Sequence, residues 1–302
     1  AHTFPSRPGT RYAMLSGLSH DPIFRDMLVP LTTGGLLYIP EQGMLLQPRL
    51  LYRWLQEHRI ARLHTTPPML EVLVAGGDPT QPLLDLQHVF SGGDMLQAAQ
   101  VAQLRQLAPA CQVVNFYGTS ETPQAVAWYL VRPGEPDPIP VGRGIDDVDL
   151  LVLDEQLKPA AQGMPGQLAV RSAYLSKGYK DDDEASRRQY LELGPADGRT
   201  TYLTGDLGYV SAHGDVVLTG RADDQINLHG YRIELDAINV ALRCLLQGSS
   251  AVVLPVKLAD GESKLCAYLV YRSSDRFSEE QRIKKQLTAL LPHYMLPGLW
   301  EW

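Results

Sequence analysis

Gln112-Val113-Val114-Asn115-Phe116-Tyr117-Gly118-Thr119-Ser120-Glu121-Thr122 is the stretch from which the fold is read. Residues 112–116 carry two valines and a phenylalanine, the composition of a strand. Gly118 then turns the chain into a run of hydroxyls and one carboxylate. Upstream the same rhythm repeats. Residues 36–39 read as a buried strand stopped by Pro40, and 48–58 as a helix opened by Pro48, where a missing N–H costs little. Residues 61–66 read as the next strand and 67–75 as the next helix. A strand at 88–91 ends in Gly92-Gly93, and Val101, Leu104 and Ala108 form a helical stripe after it. This β-α-β-α-β order predicts an α/β layered domain with parallel pairing. In such a domain a Gly turn at the carboxyl end of a strand is where ligands bind.

Downstream of about residue 126 the texture changes. Strand-like runs at 148–153, 168–171 and 216–219 sit between Gly, Pro and Asp turns, which predicts a β-rich subdomain. After about residue 223 the pattern is that of a small α+β unit. It has a helix at 234–246, a hairpin of 251–256 and 265–271 around Asp260-Gly261, and a second helix capped by Ser278 with Gln281 three residues on. The predicted fold class is therefore α/β, a large layered domain (parallel sheet plus β-rich subdomain) over 1–222, with a small C-terminal α+β domain over 223–302.

The chain has 302 residues, 44% of them apolar and 20% charged, as expected of a core-forming protein. A net charge of −7, from 27 basic and 34 acidic residues, argues against a general nucleic-acid surface. No apolar run reaches the roughly 20 residues that span a bilayer. The three cysteines, Cys111, Cys244 and Cys266, are far apart, which suits a reducing cytoplasm. The N-terminal residues lack the pattern of a signal peptide. They also lack an initiator Met, so the chain is expected to begin inside a longer protein.

Three segments can carry chemistry. In 115–122, Tyr117 can stack on a base, Thr119, Ser120 and Thr122 offer hydroxyls to phosphate, and Glu121 is a hard oxygen ligand suited to Mg²⁺. The same residues also suit a polar loop with a helix cap. In 202–208 (Tyr-Leu-Thr-Gly-Asp-Leu-Gly), Asp206 has the two acceptor oxygens that a ribose diol needs, or it forms an Asp-Gly hairpin turn. In 220–235, Arg221 can pair with phosphate or ribose and Asp223 can serve as a hinge. The alternative there is a solvated connector.

Taken in order, these segments resemble the amino-acid adenylation domains of nonribosomal peptide synthetases, within the adenylate-forming superfamily. Residues 115–122 resemble the NxYGPTE core, with Thr-Ser for Pro-Thr. Residues 166–170 with 177–179 resemble the GEL…RGY core, and 202–207 the YRTGDL core, with Leu203 in place of its basic residue. Residues 220–235 resemble GRxDxQVKIRGxRIEL, and 291–297 resemble LPxYMxP. Residues 12–26 are also similar to the corresponding stretch of the fungal α-aminoadipate reductase adenylation domain.

The resemblance implies ATP-dependent activation of an amino acid as aminoacyl-AMP, with Mg²⁺. It further implies transfer to the phosphopantetheine thiol of a peptidyl carrier protein among neighbouring synthetase domains. It implies that Asp21 binds the substrate ammonium, with His20 beside it. Pro22, Arg25, Thr65, Phe90, Gly92, Phe116, Gln124 and Ala125 would line the side-chain pocket, with Arg25 facing a substrate carboxylate, pointing away or pairing with a neighbour. Tyr117 and the Gly92-Gly93 loop would sandwich adenine, with Asn115 and Gly118 in the same nucleotide-binding core. Ser120 would touch the α-phosphate and Glu121 would hold Mg²⁺. Asp206 and Arg221 would hold the ribose, Asp223 would be the hinge, and the Gly230 loop would line the phosphopantetheine tunnel. Two family features, a Gly/Ser/Thr-rich phosphate loop before residue 12 and a Lys-bearing core after Pro297, are not among the 302 residues. The resemblance thus implies a domain truncated at both ends, a split protein or a degenerate copy. Three other outcomes stay open: a carboxylate reductase of the aminoadipate type, a non-catalytic module, and an acyl-CoA or aryl-acid ligase that would leave Asp21 without use.

Overall fold

A computed structural model describes residues 3–17, 21–122, 124–222, 225–228, 231–246, 250–258, 263–270 and 276–302. The chain divides into two compact units, Ala1–Ala222 and Asp223–Trp302.

The first unit is built on a seven-stranded sheet. Its strands are β1 (Arg11–Ala13), β2 (Leu36–Tyr38), β3 (Arg62–Thr65), β4 (His88–Ser91), β5 (Gln112–Tyr117), β6 (Ala127–Leu130) and β7 (Arg143–Gly144), in spatial order β2-β1-β3-β4-β5-β6-β7. The strands from β2 to β5 pair in parallel, and β6 and β7 add antiparallel. Helices α1 (Ile23–Thr33), α2 (Pro48–Glu57), α3 (Pro67–Ala75) and α4 (Ala98–Leu107) make the crossovers. Both α2 and α3 start on prolines, and the Thr66 hydroxyl accepts from the Met69 N–H at 3.4 Å, an N-cap that satisfies one orphan donor. The core on one face joins Leu63, Val89 and Val113 of the strands to Leu51, Leu70 and Leu104 of the helices, all fully buried. Each such side chain contributes about 2 kcal/mol by leaving water.

Two expectations change here. Residues 36–39 read as a buried strand, but β2 is the sheet edge, with Leu36 and Ile39 exposed. The sequence also gave no sign of α1. Pro22 and Pro30 obscure it, yet Pro22 sits at the N-cap and Pro30 in the last turns, and Gly34 ends the helix at φ +69°.

A second sheet holds β8 (Asp149–Leu153), β9 (Gly166–Ser172), β10 (Tyr190–Leu191), β11 (Thr200–Val210) and β12 (Val216–Arg221), all antiparallel, with α5 (Asp183–Gln189) leading into β10.

The second unit has the hairpin β13 (Gln225–Leu228) and β14 (Tyr231–Glu234), then α6 (Leu235–Leu245). Strands β15 (Ser250–Lys257) and β16 (Ser263–Val270) pair antiparallel, α7 (Arg276–Leu290) follows, and β17 (Leu299–Glu301) joins parallel to β16. Ile233, Ile238, Leu242, Val253, Ala267, Ile283 and Leu287 form its own buried core. Ser278 lies inside α7, which already runs at Arg276, so it is not the cap. His20, Asp223, the Gly230 loop and the Asp260-Gly261 turn fall outside the described residues.

Candidate functional site

The site forms where β5 ends. Tyr117, its last residue, donates from Oη to Asp206 Oδ2 at 2.6 Å. Asp206 lies on β11 directly opposite Arg221 of β12, and Arg221 Nη1 donates to Asp206 Oδ1 at 2.6 Å. A second guanidinium nitrogen reaches the Thr204 carbonyl at 3.4 Å. Three residues from three sequence segments thus meet on one carboxylate. The side chains of Asp206 and Arg221 are each 15% exposed, so the pair stays in touch with solvent and with any ligand there. Burial first, then the Asp206 carboxylate, pushes the Tyr117 phenol well above its ordinary value, so it remains a donor.

The turn expected at Gly205-Asp206 is not formed. The pair lies within β11, where the register against β9 passes from Leu203↔Ala169 to Leu207↔Gln167. Four steps on β11 match two on β9, a bulge, and Gly205 supplies the required φ of +78°. The bulge aims Asp206 at Tyr117, with its N–H held by Thr204 Oγ1 at 3.1 Å.

The loop after Tyr117 is tightly built. Thr119 N–H donates to Thr122 Oγ1, whose hydroxyl returns to the Thr119 carbonyl, both at 3.0 Å. A Cβ on Gly118 would lie 2.1 Å from the Gln124 carbonyl oxygen, so only glycine fits. Ser120 is exposed at the tip. Thr119 Oγ1 is buried and, among the described residues, has no hydrogen-bond partner, an orphan of the kind a phosphate oxygen satisfies. Glu121 Oε1 accepts from the Tyr179 phenol at 3.0 Å. Burial and then the charge on Glu121 push that phenol up to about 12. Among the described residues no group of three or more His, Cys, Asp or Glu could form a metal site. The single carboxylate of Glu121 near the orphan Thr119 hydroxyl fits the way Mg²⁺ is held with a nucleotide, through one or two carboxylates plus substrate phosphates.

Asn115 was expected at the nucleotide. It is 3% exposed and its Nδ2 donates to the Pro140 carbonyl at 2.9 Å, so it pins the Pro-rich loop beside β5. Gly92 follows β4 and faces the Phe116 carbonyl, 3.0 Å from where its Cβ would be, and Gly93 has φ +86°.

Residues expected to line a side-chain pocket lie at the start of α1 and on one face of the sheet. Gln124 Nε2 donates to the Asp21 carbonyl at 2.9 Å and lies 3.4 Å from Asp21 Oδ2. Pro22 caps α1, and Ala125 follows Gln124, its Cα 3.2 Å from the Gly118 Cβ position. Arg25 places its guanidinium carbon 5.4 Å from the Phe116 ring centre. Its Nε is buried with no partner among the described residues. Phe90 and Phe116 stack at 5.2 Å.

Thr65 does not join them. Register pairs His64 with Phe90 and Thr65 with Ser91, and successive side chains in a strand point to opposite faces, so His64 takes the place expected of Thr65. Its ring lies 5.0 Å from Phe90 and 6.4 Å from Phe116. Nδ1 of His64 is 2.7 Å from Oδ1 of Asp26, which is buried on α1. Neither His64 nor Asp26 stood out in the sequence. Burial lowers the His64 pKa, against the pull of Asp26.

A family model described as AMP-binding enzyme matches residues 1–180. The chain belongs to the AMP-binding enzyme family. Among its relatives, the L-2-aminoadipate reductase of Saccharomyces cerevisiae is 33% identical over 297 residues, covering 87% of this chain and 21% of that protein. The D-alanine–D-alanyl carrier protein ligase of Bacillus velezensis is 32% identical over 301 residues, covering 97% of this chain and 59% of that protein. The chain therefore spans only a part of these relatives. Among solved structures, holo-PA1221, an NRPS protein containing adenylation and PCP domains, matches with a TM-score of 0.82 at 28% identity, over 95% of this chain and 50% of that one. The Vibrio cholerae adenylation domain AlmE, in complex with glycyl-adenosine-5'-phosphate, matches with a TM-score of 0.86 at 23% identity, over 99% of this chain and 57% of that one, which speaks for the fold. This AMP-binding enzyme thus has the α/β fold of adenylation domains. Among its described residues no helix is long and apolar enough to cross a membrane.

Proposed function

We propose that the chain is part of an adenylation domain that activates an amino acid as aminoacyl-AMP for transfer to a carrier-protein phosphopantetheine thiol, as in nonribosomal peptide synthesis. The single observation that carries this reading is the meeting of Tyr117, Asp206 and Arg221, with contacts of 2.6 Å. Tyr117 and Asp206 stand 89 positions apart in sequence, and their contact places a ring and a diol acceptor side by side, as one nucleoside needs.

In this reading the chain's work is positioning and charge complementarity. Asp206, fixed by the phenol and the guanidinium, receives the ribose hydroxyls. Tyr117 and the Gly92-Gly93 turn bound the adenine. Ser120 and the orphan Thr119 hydroxyl donate toward the α-phosphate, and Glu121 takes the divalent cation. A bound Mg²⁺ supplies charge neutralisation on the phosphates. Asp21 receives the substrate ammonium in a charge-assisted contact, with Gln124 holding it in place. The reacting nucleophile is the substrate's own carboxylate, so no side-chain nucleophile is needed. Asp223 serves as the hinge and the small unit 223–302 as the moving part, in a reducing, cytoplasmic setting.

A second reading keeps this chemistry and changes its fate, to the adenylation part of a carboxylate reductase of the aminoadipate type. Arg25 favours it. A guanidinium resting on Phe116 with an unsatisfied buried Nε is suited to a substrate's side-chain carboxylate.

The test is amino-acid-dependent ATP–pyrophosphate exchange by the protein that carries this chain. Asp21→Ala raises the amino-acid KM by about 10- to 100-fold, the worth of a hydrogen bond to a charged group, and leaves ATP binding nearly unchanged. Loss of ATP binding in that variant would place the substrate pocket elsewhere. Preference for glutamate over glutamine in the exchange shows that Arg25 faces a substrate carboxylate, and a thioester-reductase domain in the full protein supports the second reading.

A further inference from the structure

Tyr179 was legible only as part of a motif, and the structure shows it touching Glu121. The carboxylate can only accept, so the phenol proton lies on the 3.0 Å contact to Oε1. Tyr179 Oη is also 3.2 Å from Tyr202 Oη. With its one hydrogen spent, Tyr179 accepts there, and Tyr202 donates. Tyr202 is 1% exposed on β11, the strand that carries Asp206.

The segment bearing Tyr179 is fastened in several places. Its N–H donates to Ser186 Oγ at 2.8 Å, and that hydroxyl donates to the Asp182 carbonyl at 2.8 Å. Gly178 has φ +122°, and a Cβ there would sit 2.8 Å from Ser186 Oγ. Ser176 N–H reaches the Glu121 carbonyl at 3.3 Å. The Tyr190 ring packs 4.9 Å from Tyr202 and 5.9 Å from Tyr179, and its hydroxyl meets Ser176 Oγ at 2.5 Å. Glycine, serine and tyrosine thus hold one phenol against one carboxylate.

We propose that Tyr179 is a positioning residue. The phenol relay Tyr202→Tyr179→Glu121 holds the Glu121 carboxylate in the orientation in which it takes the divalent cation of a bound nucleotide, and so ties the 115–122 loop to the strand of Asp206. A carboxylate has about four acceptor positions, and the phenol takes one. A hydrogen bond behind a metal-binding carboxylate fixes its rotamer and steadies its metal. This inference rests on the reading of Glu121 as the cation's ligand.

The experiment is calorimetric titration of the full protein with ATP, once with Mg²⁺ and once with EDTA, for the native protein, Tyr179→Phe and Glu121→Gln. Tyr179→Phe is expected to weaken ATP binding by about 10-fold with Mg²⁺ and to leave binding in EDTA unchanged. A residue that only stabilised the fold would shift both titrations or neither. Should Tyr179→Phe fold poorly, Ser186→Ala releases the Tyr179 backbone without altering either ring, and a Mg²⁺-specific loss is expected again. If Glu121→Gln loses the Mg²⁺ dependence while Tyr179→Phe and Ser186→Ala keep it, the relay has no such role. If Glu121→Gln keeps it, the cation reading of Glu121 fails and the inference falls with it.

Discussion

His64 and Asp26 form a buried polar pair beside Phe90 and Phe116, and physics assigns them a testable consequence. The carboxylate accepts the Nδ1 proton at 2.7 Å, which leaves Nε2 deprotonated in the neutral ring. Burial is the largest influence on His64, with Arg25 and Arg62 adding to it and Asp26 opposing it. The folded pKa therefore lies below the ordinary 6.5. The unfolded chain binds more protons than the folded one between those two values, so stability rises with pH there. This contribution is intact above about 6.5 and is lost as the pH falls through and below it. Urea melts at pH 7.5 and 5.5 are expected to show lower stability at the acid end, and His64→Asn, whose amide can replace the Nδ1 donor, is expected to flatten that difference. An unchanged difference would show that other groups carry it. The pair was hidden from sequence reading for a simple reason. Alternation places either His64 or Thr65 on the pocket face, and only the register with Phe90 decides between them. Tyr117, Asp206 and Arg221 were legible because each stands in a Gly-bearing motif, whereas Asn115 stands in one too and spends its amide on Pro140.

Among the elements, β11 teaches the most. Read from sequence, Thr204-Gly205-Asp206 suits a turn, since Gly and Asp punctuate chains. In the fold it is a strand whose extra residues bulge, with Gly205 at φ +78°. The strands at 88–91 and 112–117 and the helices at 48–57 and 67–75 were legible because prolines mark their starts or apolar runs fill them. The three-residue strands β1 and β17 are too short to show a period, and α1 is masked by its two prolines. The bulge carries a prediction at this scale. Gly205→Val puts a β-branched side chain at a left-handed position, costing roughly 1–2 kcal/mol. Straightening the strand would also pull Asp206 out of line with Arg221. Denaturant melts should show that loss and ATP titration a weaker affinity, whereas Gly205→Asn, which tolerates that backbone region, should retain more of both. A valine variant with native ATP affinity would mean that the bulge does not aim Asp206.

At the scale of the whole molecule, the described residues hold three buried clusters, two in residues 1–222 and one in residues 223–302. Residues 1–222 bury their leucines and valines between a parallel sheet and its helices and within the second sheet, and residues 223–302 bury theirs between α6, α7 and β15–β16. Contiguous compact units tend to unfold cooperatively, so a cavity in the cluster of residues 223–302 should be felt chiefly by that unit. Leu242 is fully buried in the smaller core, facing Ile238 on its own helix turn. Leu242→Ala removes a branched side chain from a closed site and is expected to cost about 2–5 kcal/mol. Calorimetry should show a transition for the smaller unit moved down in temperature, with the transition of residues 1–222 and the affinity for ATP where they were. The affinity is informative because Tyr117, Glu121, Asp206 and Arg221 all belong to the first unit. If Leu242→Ala lowers both transitions together and weakens ATP by the same factor, the two units unfold as one body, and the nucleotide site draws its stability from residues 223–302 as well.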